Sequence, residues 1–265
     1  GDYALVTNYS GSSNTSLGAF SLQNNTTASN NTAVGYKAGY SAVAGGASVF
    51  LGGLAGESTT GGNNTFVGYG SGQLVTTGTK NTILGAYSGN QGGLDIRTSS
   101  NNIVLSDGDG NPRLIIDSSG AVTKPSQPAF GAINNTGAQT NLAINAYHTV
   151  VFGGEFFDQG SDFASNTFST PVTGKYQFNV QIRLYQVDTA ASYYQVLITT
   201  SNGSYEVGLN SPKFNTDPDY ITFTGSFLVD MDAADTAYVQ VYQAGGSAQT
   251  DLQQSTSTFS GYLVA

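Results

Sequence analysis

The sequence has no cysteine and no tryptophan, one methionine, one histidine, and only eight lysines and arginines in 265 residues. Without cysteine there is no disulfide framework and no thiolate metal or redox centre. The single histidine, His148, excludes a multi-histidine metal site or a relay with a second histidine within one chain. Eight basic residues against seventeen acidic ones, a net charge of −9, argue against a nucleic-acid-binding surface, because neutralising phosphates needs clustered cations. No apolar run approaches the ~18 residues of a membrane helix, so no membrane insertion is expected. No charged-then-apolar leader opens the chain. Residue 1 is Gly rather than Met, which fits a piece of a longer chain. Charged residues make up 9%, against a usual ~25%. Neither a Gly-x-Ser-x-Gly elbow nor a phosphate-loop lysine is present, and no enzyme is expected.

What is abundant is glycine and aromatic side chains, unevenly placed. Residues 1–120 hold 23 of the 35 glycines, whereas residues 121–265 hold 21 of the 30 Tyr and Phe. β-branched, aromatic and turn residues dominate and no long 3.6-residue stripe appears, so the chain reads as all-β. Lys124-Pro125-Ser126-Gln127-Pro128 interrupts any regular element. The expected organisation is a repeat stem over 1–100, a hairpin over 101–121 and a compact domain over 122–265.

The first half repeats. Asn14-Thr15-Ser16-Leu17-Gly18, Asn31-Thr32-Ala33-Val34-Gly35, Ser48-Val49-Phe50-Leu51-Gly52, Asn64-Thr65-Phe66-Val67-Gly68 and Asn81-Thr82-Ile83-Leu84-Gly85 follow one template. Its closing glycines are spaced by 17, 17, 16 and 17 residues. Constant spacing of this size implies a stack of rungs, a β-solenoid. The aliphatic column Leu17, Val34, Leu51, Val67 and Leu84 is expected to stack inward as the stem core. The leading Asn bonds its own turn and can ladder with its neighbours. Two or three apolar side chains per rung make a thin core for one chain. Three chains wound about one axis would share that core and cover the strand edges.

The copies at 31–39 and 64–72 resemble repeats of bacteriophage tail-fibre proteins and, more distantly, the head repeats of trimeric autotransporter adhesins. Asn101 to Gly120 is similar to the hairpin that closes such a stem. Ile103-Val104-Leu105 and Leu114-Ile115-Ile116 read as its strands, with turn chemistry from Asp107 to Asn111.

The second half alternates. Tyr176-Gln177-Phe178-Asn179-Val180-Gln181-Ile182-Arg183-Leu184 is a half-buried strand, and further short strands with regular turns point to a sandwich or jelly roll. Pro128-Ala129-Phe130-Gly131-Ala132, Val150-Val151-Phe152, Phe163, the run from Thr167 to Phe178, and Ser257 to Val264 resemble the globular head of the first complement component, a tumour-necrosis-factor-like jelly roll. One departure stands out: the family's Gly-Asp turn has Ala234 before Asp235. The resemblance implies trimerisation through an aromatic and aliphatic axis, and a trimeric head suits a three-chain stem.

Candidate sites are few. Asp107 and Asp109 with Asn111 match half of a calcium loop, but position twelve is Ser118 rather than Glu. Asp230, Asp232 and Asp235 share a turn. Turn formation and solubility are the alternative roles of these acids, so no cofactor is assigned and calcium is left open. His148 reads as a surface or loop residue. Tyr193, Tyr205, Tyr220 and Tyr242 exceed what one sandwich face can bury; they are ligand-contact candidates, with trimer interface or core as the alternative.

These readings converge on a homotrimeric fibre of a bacteriophage virion. The stem would be a spacer, the head would bind host-surface glycan or protein, and other virion proteins would hold an N-terminal attachment. The alternatives are a purely structural collar or capsid-decorating fibre, a bacterial surface adhesin, and a polysaccharide-degrading tailspike.

Overall fold

A computed structural model describes residues 1–43, 45–210 and 216–265, with Asn210 described by its backbone only. Contacts divide the chain into two units, Gly1–Pro125 and Ser126–Ala265. Both are built from strands, and no helix occurs among the described residues.

In the first unit, three-residue strands recur once per repeat: β1 (Thr15–Leu17), β2 (Thr32–Val34), β3 (Val49–Leu51), β4 (Thr65–Val67) and β5 (Thr82–Leu84). After the small hairpin of β6 (Asn90–Gln91) and β7 (Leu94–Asp95) come β8 (Ile103–Ser106), β9 (Pro112–Ile116) and β10 (Val122–Thr123). They form one eight-stranded sheet in the order β1-β2-β3-β4-β5-β8-β9-β10. The first six strands are parallel and in strict register, as in Thr65↔Thr82 and Val67↔Leu84. Each rung pairs with the next rung of the same chain. The solenoid is therefore wound by a single chain, not by three interwound ones.

The core column is shifted by one residue from its expected position. Ala33, Phe50, Phe66, Ile83 and Val104, the middle residues of their strands, are fully buried. Leu17, Val34, Leu51, Val67 and Leu84 lie on the opposite face, with Leu17 63% and Leu51 46% exposed. Side chains alternate along a strand, so a shift of one residue exchanges the faces. The large rings of Phe50 and Phe66, 5.8 Å apart, fill the interior with Leu22, Val75, Tyr87 and Ile96. One chain thus closes its own core.

Two columns hold the rungs together. The N–H of Asn31 donates to Asn14 Oδ1 at 2.9 Å, and those of Asn81 and Asn102 donate to the Oδ1 of the preceding Asn at 2.9 Å. Ser48 replaces Asn in the third rung and passes the ladder on through its hydroxyl, which accepts from the N–H of Asn64 at 3.1 Å. At the corner, Gly18, Gly35, Gly52 and Gly68 have φ of 135–138°. A Cβ on Gly52 would lie 2.4 Å from the carbonyl oxygen of Gly68. Backbone sits directly on backbone there, so only glycine fits.

The second unit is a sandwich of two antiparallel sheets. One sheet runs β13 (Gly154–Gln159), β11 (Ala129–Ile133), β22 (Thr258–Leu263), β16 (Gly174–Tyr185) and β19 (Tyr220–Met231), with β21 (Asp251–Leu252) on β16. The other runs β14 (Phe163–Ala164), β15 (Thr167–Ser169), β20 (Thr236–Ala244), β17 (Tyr193–Thr200) and β18 (Gly203–Asn210), with β12 (Tyr147–Thr149) on β20. The alternation of β16 is realised in full: Tyr176, Phe178, Val180, Ile182 and Leu184 are buried between the sheets. Phe130 is the hub of an aromatic cluster, its ring 4.8 Å from Phe163, 4.7 Å from Phe168 and 5.0 Å from Phe259. Interdigitated rings of this kind are a dense apolar load for a small sandwich.

Candidate functional site

The four candidate tyrosines separate into three environments. Tyr193 on β17 and Tyr242 on β20 come together on the outer face of the second sheet, their rings 6.0 Å apart. Tyr147 on β12 joins them: it sits opposite Tyr242 in register, with ring centroids 4.7 Å apart. The result is a row of three rings with Tyr242 in the middle. Tyr147 is 55% and Tyr193 37% exposed at its ends. Gln195 lies opposite Tyr242, and the side chain of Gln240 accepts a hydrogen bond from the Thr199 hydroxyl at 3.0 Å. Amides beside aromatic rings offer donors and acceptors next to an apolar surface.

Sequence reasoning missed Tyr147 because its strand is only three residues long. Nothing local pairs it with a strand almost a hundred residues onward. The available signal was the alternation of β20, which sends Tyr238, Gln240 and Tyr242 to one face.

Tyr220 lies on the other sheet. It stacks on Tyr185 at 5.1 Å, and the Arg183 guanidinium covers its ring at 4.1 Å, a cation–π contact. Tyr205 packs against Phe227 at 5.6 Å, at the margin of the core. The structure therefore does not bring Tyr205 or Tyr220 to the row of Tyr193 and Tyr242. On the outer face of the Tyr220 sheet, Phe157, Leu228 and Tyr262 are each about half exposed.

Asp107, Asp109, Asp232 and Asp235 sit in turns, and Asp230 in a strand. Asp107 Oδ1 accepts the N–H groups of Asp109 and Asn111 at 3.0 and 2.9 Å. Its Oδ2 accepts Arg113 Nη2 at 2.6 Å. The Asn111 N–H and the Arg113 guanidinium hold the Asp107 carboxyl down at about 2. In the other turn, Asp235 Oδ2 accepts the N–H of Asp232 at 2.8 Å and Asn202 Nδ2 at 2.7 Å. Asp230 is exposed on β19 opposite Lys175. Among the described residues, no three His, Cys, Asp or Glu side chains gather as a metal site would require. His148 lies in β12, and one ring nitrogen is 3.0 Å from the Ala143 carbonyl oxygen.

A third feature is an acidic cleft of about 310 Å³ bordered by residues 186–188, 217–219 and 248–249. Burial raises the Asp188 carboxyl, but N–H groups of Ala248, Ala190 and Ser247 outweigh it and hold the group below its ordinary range. Beneath it the buried Tyr194 hydroxyl donates to the Asp188 carbonyl and accepts its N–H. Burial pushes this phenol up to about 12. Asp188 is thus committed to tying two loops together.

Comparison with known proteins accords with the sandwich. The model of the C1q domain matches residues 129–264. No curated protein matches the chain. Among solved structures, the globular domain of zebrafish complement 1qA protein is 16% identical, with a TM-score of 0.37, covering 52% of this chain and 98% of that one. Two crystal structures of murine APRIL, at pH 8.5 and 8.0, are each 9% identical, with TM-scores of 0.38 and 0.39, covering 52% of this chain and 99% of theirs. The aromatic hub, the two-sheet order and the family match over half of its length agree: the chain belongs to the C1q domain family.

Proposed function

We propose that the protein is a homotrimeric fibre component of a bacteriophage virion, whose C-terminal domain binds a glycan or protein of the host surface. The observation that carries this reading is the union, in one chain, of a repetitive solenoid with a C1q domain bearing an exposed tyrosine row. The solenoid is a spacer by its nature, since each rung contacts only its neighbours. C1q-type domains typically form homotrimers, and the half-exposed Phe157, Leu228 and Tyr262 on one sheet suit burial against other copies. The opposite sheet is then free to carry the row of Tyr147, Tyr242 and Tyr193. Tyrosine supplies rigid apolar area with a polar end, which suits the mixed faces of a sugar. Three rows in one trimer would add their contributions through multivalency.

The test is binding of the full chain to an array of bacterial surface polysaccharides, beside the Tyr147→Ala/Tyr242→Ala variant. We expect binding that falls at least tenfold in the variant while its melting temperature stays close to the parent's. Binding unaffected by the variant, or no binding with a fully folded trimer, would overturn the adhesive reading and leave a purely structural fibre.

A further inference from the structure

We propose that the outward face of the stem sheet is the surface through which copies of this chain pack side by side, in parallel, about a threefold axis. This rests on the homotrimeric reading above, and it adds which face is covered and by what. The stem then consists of three complete solenoids, each with its own interior, joined by a second apolar layer outside them.

The face is defined by the residues on either side of the inward-facing middle residue of each strand, buried in β2 to β5 and in β8 and half-buried in β1. One column is Thr15, Thr32, Val49, Thr65, Thr82 and Ile103; the other is Leu17, Val34, Leu51, Val67, Leu84 and Leu105. The hairpin strand β9 extends both, with Ile116 opposite Ile103 and Leu114 opposite Leu105. Val122, 59% exposed, extends the first. No charged residue occurs in either column. Leu17, Leu51, Leu84, Ile103 and Leu105 each leave more than a third of their surface in water.

The strip is large for one face of so slender a stem. Eight strands at ~4.8 Å separation give a strip ~34 Å long, and two columns with their side chains make it ~15 Å wide. That is roughly 500 Å², uncharged throughout but with Thr15, Thr32, Thr65 and Thr82 in the first column, within the upper half of what monomers leave exposed as one patch. In a cyclic trimer the strip is divided between two neighbours, so each stem contact takes about half of it, less than the ~800 Å² per partner of an interface that stands alone; the stem contact adds to the association of the heads.

The periodicity selects the partner. A surface corrugated once per rung, without charge, is matched rung for rung by another copy of the same stem. Parallel alignment is favoured by the gradient along the strip. It begins as Thr and Leu in β1 and ends as Ile, Leu and Val in β8 to β10, so only parallel copies place the most apolar ends together. In a cyclic trimer the contact is heterologous, with the first column of one copy meeting the second column of the next.

The absence of cysteine provides a clean test. The full chain carrying Val49→Cys and Leu51→Cys is oxidised mildly and run on a denaturing gel, with parallel sedimentation and a Thr77→Cys control on an exposed turn. We expect a covalently closed trimer in the double variant and uncrosslinked chains in the control. A sedimenting trimer without cross-links would overturn the stem interface and leave the homotrimer standing. Covalent dimers as the largest species would overturn the threefold arrangement. A monomer in sedimentation would remove the homotrimeric reading and this inference with it.

Discussion

The backbone N–H of Asn81 donates to Oδ1 of Asn64 at 2.9 Å, one rung away, while Asn64 Nδ2 donates to the carbonyls of Gly61 and Gly78. One buried side chain thereby satisfies three backbone groups on two successive rungs. Asn64→Ala removes all three bonds and should cost about 1–3 kcal/mol, since buried groups left unpaired carry a full desolvation penalty. Asn31 is the internal comparison. Its Oδ1 accepts the Ser48 N–H, but its Nδ2 is buried without a hydrogen-bond partner among the described residues. Asn31→Ala should therefore be milder than Asn64→Ala in denaturant unfolding, and equal losses would refute the ladder account.

The glycine corner makes a sharper prediction. Gly52→Ala places a methyl group 2.4 Å from the Gly68 carbonyl oxygen, at a φ of 136° that alanine rarely adopts. Neither atom can rotate away, because the Cβ position is fixed by the backbone that carries it and the oxygen is itself backbone. The stem should lose about 3 kcal/mol, from the combined strain and clash. Calorimetry of the variant should show the loss.

Ala234 gives the opposite sign. Its φ is 72°, in the left-handed region, within the turn that Asp235 closes on Asp232. Glycine adopts that conformation without Cβ strain, though it loses more entropy on folding. Ala234→Gly should raise head stability by about 0.5–1 kcal/mol, measured as an upward shift in melting temperature. A drop would mean the alanine methyl makes a contact outweighing its strain.

Asp107 sets an acid limit for the hairpin. Its carboxyl is held at about 2 in the folded chain, below its ordinary value of 3.8. A depressed carboxylate stabilises the fold at pH values above the ordinary one. That contribution fades as pH falls below about 4 and is gone once pH passes below about 2. Carboxyl titration by NMR should find the low midpoint, and the protection of the Asn111 amide, taken relative to the intrinsic exchange rate at each pH, should fall across the same window. In Asp107→Asn that pH-dependent fall should be absent.

The fold class was legible in the sequence because periodicity is a local property. Glycine spacing announced the rungs, the Asn column announced its ladder, and alternation from Tyr176 to Leu184 announced the sandwich. A parallel stack and an alternating strand both write their period directly into the chain. The faces of the stem were not legible. Thr-Phe-Val in β4 and Thr-Ile-Leu in β5 place apolar residues at two adjacent positions. Only the winding of the solenoid decides that Phe66 and Ile83 point in and that Val67 and Leu84 point out. The tyrosine row was hidden for the same reason. Tyr147 meets Tyr242 and Tyr193 through strand pairing across distant parts of the chain, and long-range register is a property of the closed sheet rather than of any segment.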